Sequence, residues 1–77
     1  MATTISYEIK KQVAVLSKSA KDWTKEVNLI SWNGGEPKYD IRDWDPNHEK
    51  MGKGITLTLD EAKALVKAIT SDLKKGA

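Results

Sequence analysis

Cysteine and phenylalanine are absent from this chain, histidine occurs once and proline twice. Without cysteine there is neither a disulfide framework nor a thiolate metal site, and a single histidine cannot build a multi-histidine zinc centre. No apolar run approaches the roughly 20 residues that a membrane-spanning helix needs. The opening Met1-Ala2-Thr3-Thr4 lacks the basic start and apolar stretch of a secretory signal, so the expectation is a soluble cytoplasmic protein, free or nucleoid-associated. At 77 residues the chain makes one domain, 1–77, about half of the ~150 residues usually allowed for one. A chain near this size buries only about 60% of its unfolded surface. With disulfides and metals excluded, the remaining support is association with a second copy.

Excess charge is small as well. Thirteen Lys and Arg against eleven Asp and Glu leave a net +2, too little to argue for a nucleic-acid partner unless the positive charge is focused on one face. What the sequence does hold is three Trp and two Tyr, aromatics that tolerate partial exposure and serve as stacking platforms.

The first three quarters read as strands. Ile5, Tyr7, Ile9, Val13 and Val15 recur at even spacing between polar residues, as in a half-buried strand. Ser17 to Asp22 is a polar turn, and Trp23 to Trp32 a second strand. Its apolar residues fall on both parities, so it is either covered on both faces or bulged. Asn33-Gly34-Gly35-Glu36-Pro37 supplies the positive-φ positions of a hairpin turn. In the third strand, Lys38 to Trp44, Tyr39 and Ile41 point one way and Lys38, Asp40, Arg42 and Trp44 the other. Asp45-Pro46-Asn47-His48-Glu49 breaks the pattern, and Gly52-Lys53-Gly54 leads into a short strand from Ile55 to Leu57. Thr58 and Glu61 then form a capping box, followed by Leu59, Ala62, Leu65, Val66, Ile69 and Leu73 at helical spacing. Lys74 and Lys75 suit the helix C-terminus and Gly76 stops it. The expected fold class is α+β: a twisted four-stranded antiparallel sheet followed by one C-terminal helix, ββββα. One helix covers one sheet face only. The other, carrying Lys38, Arg42 and Trp44, is left for solvent, a partner or a ligand.

Catalytic chemistry is poorly supplied. His48 lies in a polar turn with no nucleophile beside it in sequence, and alternation turns Asp43 away from Asp40. Asp43 to Asn47 opens like a calcium loop, then places His48 at the glycine position and Gly54 at the bidentate glutamate position. Gly52-Lys53-Gly54 lacks the upstream glycine spacing of a phosphate loop and precedes a strand rather than a helix. The reading is therefore not an enzyme, with no cofactor, no metal, no small-molecule substrate and no membrane partner. Basic residues and Trp do interleave along the sheet: Lys21, Trp23 and Lys25, then Trp32, then Lys38, Arg42 and Trp44, then Lys50 and Lys53. Cations that track phosphates beside aromatic faces that stack on bases are what a single strand requires. Duplex DNA hides its base faces. Trp23 reads as the core residue among the three Trp. A protein-interaction module using the same face and an RNA-preferring binder are the alternatives.

Asp40-Ile41-Arg42-Asp43-Trp44, then Gly52-Lys53-Gly54-Ile55-Thr56-Leu57 and a helix, resembles the C-terminal domain of the transcriptional coactivator positive cofactor four. Ser31-Trp32-Asn33, Pro37 to Arg42 and Pro46 to Leu57 are similar to its small bacterial YdbC-type branch, and the resemblance covers about Ile5 to Leu73. It implies a homodimer that binds single-stranded DNA across its sheets with little sequence preference. It matches Arg42 to a DNA-contacting arginine, Trp44 to an exposed aromatic, Trp32 to a base-stacking aromatic ahead of the turn, and Lys53 to a basic residue before Gly-Ile. Lys25 and Lys38 fall near basic strand positions. Glu36 stands where the eukaryotic members place a lysine, and their Ser- and acid-rich regulatory region has no counterpart, so coactivator activity is not carried over. The expected site is thus Lys25, Lys38, Arg42, Lys50 and Lys53 on phosphates, with Trp32 and Trp44 on bases.

Overall fold

The computed structural model describes residues 6–76. Ile5, which opens the expected alternation, lies outside them. Four strands, β1 (Tyr7–Lys18), β2 (Thr24–Trp32), β3 (Lys38–Trp44) and β4 (Met51–Leu57), precede one helix, α1 (Leu59–Lys74). The strands form a single antiparallel sheet in the order β1-β2-β3-β4, so the expected ββββα architecture is the observed one.

Local chemistry explains most boundaries. Asn33 and Gly34 both have positive φ, 50° and 75°, the primed turn whose twist matches a hairpin. The Gly35 N–H closes it onto the Trp32 carbonyl at 2.8 Å. Residue pairs of β2 and β3 are consequently symmetric about Gly34, from Ile30 opposite Lys38 to Thr24 opposite Trp44. Asn33 also clamps the start of β1: its N–H donates to the Ser6 carbonyl at 2.7 Å and its Oδ1 accepts from the Ser6 N–H at 3.0 Å. At the helix, Glu61 N–H donates to Thr58 Oγ1 and Thr58 N–H to Glu61 Oε1, at 3.1 and 2.8 Å.

Two boundaries move by more than one residue. β1 runs through Ser17 and Lys18 instead of ending before them, and β4 begins at Met51 rather than Ile55. β4 pairs early through an irregularity between Arg42 and Trp44 that the even-spaced pattern does not reveal. β1 carries three register shifts against a regular β2, each adding one residue. They undo its simple alternation: Ile9 stands opposite buried Ile30, while Val13 lines the groove beneath α1. β2 itself pairs regularly with β3, so it carries no bulge there, and it is buried on one face and half-buried on the other.

The sheet is strongly coiled. Tyr7 is opposite Trp32 at one end of β2 and Trp44 is opposite Thr24 at the other, yet the Tyr7 and Trp44 rings lie 5.7 Å apart. The face away from α1 therefore closes on itself around Trp44 and Ile30, both 0% exposed, together with Glu26, Asn28 and Asp40. The helix stands over the opposite face and buries none of its residues. The Cα radius of gyration, 14.3 Å, exceeds the about 11.5 Å expected of a compact domain of this length. Among the described residues, no helix is long and apolar enough to cross a membrane.

Candidate functional site

The expected site residues divide into three groups. Alternation along β2 and β3 puts Thr24, Glu26, Asn28 and Ile30 on the same face as Trp44, Arg42, Asp40 and Lys38. At the rim of this concave face Trp32, Lys38 and Arg42 come together with Asn33, Met51 and Thr56 around an open groove of about 550 Å³. Lys25 and Lys53 fall on the other face, Lys25 opposite Asp43 and paired to it at 3.7 Å. Lys50 lies in the β3–β4 loop, where its backbone N–H donates to Asp45 Oδ1 at 2.8 Å.

Arg42 is the most constrained of these side chains. Its Nε and one terminal nitrogen donate to the two oxygens of Asp40 at 2.9 and 3.0 Å, and its other terminal nitrogen donates to the Gly52 carbonyl at 3.1 Å. Asp40 is fully buried and also accepts from Thr56 Oγ1 at 2.8 Å. A guanidinium has five N–H donors, so two stay free for an outside acceptor. Its carbon sits 5.4 Å from the centre of the Trp32 ring, within cation–π reach. Gly54, opposite Arg42, makes this placement fit: a Cβ there would lie 2.5 Å from the Ile41 carbonyl oxygen and 2.6 Å from Arg42 Cβ.

Trp44 corrects the expectation. It shares the face of Lys38 and Arg42 as alternation required, but it offers no surface for stacking, because the coiling of the sheet folds Tyr7 and the β3–β4 loop over it. Its ring stacks on His48 at 5.5 Å. His48, read from the sequence as a loop residue in solvent, adopts a left-handed backbone, φ 57°, and its Nε2 meets Glu26 Oε2 at 2.8 Å. Glu26, 2% exposed, also accepts from Thr24 Oγ1 and from Asn28 Nδ2. Burial raises the Glu26 pKa, but the hydrogen bonds from Thr24, Asn28 and His48 and the charge on His48 outweigh it, leaving the carboxyl below its usual value. Asp45 is lowered too, first by the Lys50 backbone N–H and then by those of Glu49, Asn47 and its own residue, against a smaller opposing effect of burial. Thus Trp44, His48, Glu26 and Asp40 hold the concave face in shape, while Trp32, Lys38 and Arg42 present its rim.

Sequence reasoning missed His48, Glu26 and the bracing by Asp40. No local pattern marks contacts between residues as far apart as Glu26 and His48. Trp23 is half-buried rather than core, with its ring against Gly52.

Comparison with known proteins adds two findings. Residues 19–68 match the family model described as Transcriptional Coactivator p15 (PC4). An uncharacterized protein of Treponema pallidum (strain Nichols) is 51% identical over 59 residues, spanning 77% of this chain and 69% of that protein.

Proposed function

The chain belongs to the PC4 family, non-enzymatic proteins associated with single-stranded DNA binding and coactivation, and on that premise we propose that it binds single-stranded DNA as a homodimer with little sequence preference. The observation that carries the reading is the Trp32–Arg42 stack at the open rim, beside exposed Lys38. A base stacks on this pair, worth roughly 1–3 kcal/mol per base, while Lys38 and the two free donors of Arg42 take phosphate oxygens. Lys50, and Lys25 and Lys53 on the other face, add charge to the flanks. Trp44 acts from beneath by keeping the rim in place. Pro46 to Leu57 supports assignment to the YdbC-type bacterial branch, with a cytoplasmic location.

The second copy is assigned to the helix side. Val66, Leu59, Ile69 and Leu73 are all exposed on α1, and an apolar groove of about 540 Å³ runs between α1 and Val13, Val27, Tyr39 and Leu57. An exposed apolar surface of this kind marks an interaction site.

The test is fluorescence anisotropy of a labelled oligo-dT at two salt concentrations, beside a duplex and an RNA of equal length. Five phosphate contacts would give a log–log salt slope near about −3.5. The expected result is salt-sensitive binding of the DNA single strand with Trp quenching and a much weaker duplex. Equal or tighter binding of RNA would replace DNA by RNA as the ligand. Absence of any oligonucleotide binding at low salt would overturn the reading and point to a protein partner.

A further inference from the structure

A second cluster of cations around a tryptophan lies outside the rim site. At the β1–β2 turn, Lys18, Lys21 and Lys25 surround Trp23 and Asp43 in an open depression of about 500 Å³. Trp23 is half-buried with its ring against Gly52, so part of it faces outward. Lys21 has no carboxylate partner among the described residues, whereas Lys18 meets Asp22 at 3.5 Å and Lys25 meets Asp43 at 3.7 Å. All of these pairs are exposed and exchange readily for a stronger anion.

The depressions form a series. The rim groove shares Arg42 with a second depression that holds Lys53 and Gly54, and this second one shares Lys25 and Asp43 with the Trp23 site. The series crosses β4, an outer strand of the sheet, at exposed Gly54, beside Gly52. We propose that a bound single strand does not stop at Arg42 but passes over the glycine edge of β4 and continues on the other face to the β1–β2 turn, where Lys21 and Lys18 take phosphates and Trp23 stacks a further base. The proposal rests on the single-strand reading and extends it. It also gives Asp43 a role: its carboxylate competes with the strand for Lys25.

Length separates the two sites. Oligo-dT of about 4 and about 16 nucleotides bracket the site sizes of single-strand binders. The wild-type chain and K18Q/K21Q, two exposed substitutions that leave packing intact, are titrated with both by anisotropy over a salt series. The expected result is unchanged binding of the short oligomer and, for the long one, a slope smaller in magnitude by about 1.4, two contacts at ~0.7 each. D43N tightens only the long oligomer. In W32F, where Trp44 is shielded, the long oligomer still quenches Trp fluorescence, through Trp23. If K18Q/K21Q binds the long oligomer as wild type does, or weakens both lengths equally, the extended path is wrong. If neither length binds the wild type, the single-strand reading has failed and the extension falls with it.

Discussion

The two faces of the sheet solve the problem of burial in opposite ways. The face under α1 is built of Val27, Leu29, Tyr39, Ile41 and Leu57, yet it stays half-open, and the helix above it buries nothing fully. The face without a helix carries Glu26, Asn28, Asp40 and Arg42 among its residues, yet it is the closed one. Apolar composition therefore does not tell which face is the core. Coiling closes the polar face, and hydrogen bonds to the carboxylates of Glu26 and Asp40 offset part of the cost, while Asn28 Oδ1 and Trp44 Nε1 are buried there without a partner. The apolar face stays open in the single chain, where the proposed second copy would cover it.

The difference can be broken from either side. The largest effect is expected at Asp40 and Arg42. Arg42→Ala leaves Asp40 buried with only Thr56, and stability should fall by roughly 3–5 kcal/mol as read by urea denaturation. Trp44→Ala should cost a similar about 3–5 kcal/mol, with the salt slope of binding unchanged if the variant is assayed where it is folded. Trp32→Ala sharpens the contrast between the two tryptophans: a half-exposed rim residue, it should weaken oligo-dT binding by roughly 1–3 kcal/mol with a much smaller loss of stability. From the helix side, Val66→Glu alters a side chain that is 64% exposed in the single chain. It should leave the circular dichroism spectrum intact and move the sedimentation coefficient to that of a monomer. Unchanged sedimentation would remove the helix face from the dimer.

The smallest of these effects is a pH dependence confined to the polar face. The Glu26 carboxyl is held below its usual value by its hydrogen bonds and by His48. A lowered carboxyl stabilises the fold fully above the ordinary glutamate pKa of about 4.3, and the stabilisation disappears as pH falls through the lowered value. The urea midpoint should drop on acidification in that window, and Glu26→Gln should flatten the curve.

Much of the fold was legible. The bounds of β3 follow from its alternation, the turn from Asn33-Gly34, and the helix start from Thr58 and Glu61, because each depends on residues a few positions apart. The rim trio of Trp32, Lys38 and Arg42 was legible as well, since three residues at even spacing or beside a turn keep their relation in any sheet. Burial of Trp44 was not, because it depends on how far the whole sheet coils. The placement of Lys25 lay in reach: pairing symmetric about Gly34 sets it opposite Asp43, on the face away from Arg42. The early start of β4 and the three shifts in β1 depend on cross-strand pairing that one strand's sequence does not contain.

Those shifts in β1 bear on how the molecule assembles. A long, regular outer strand would accept the β1 of another chain, and with an apolar face open nearby, such pairing would propagate into filaments. Three extra residues along twelve interrupt any ladder a neighbour could continue, and Lys10, Lys11 and Lys18 add repulsion between like strands. The proposed association through α1 does not meet that obstacle, and a two-fold pairing of helices would close after two copies.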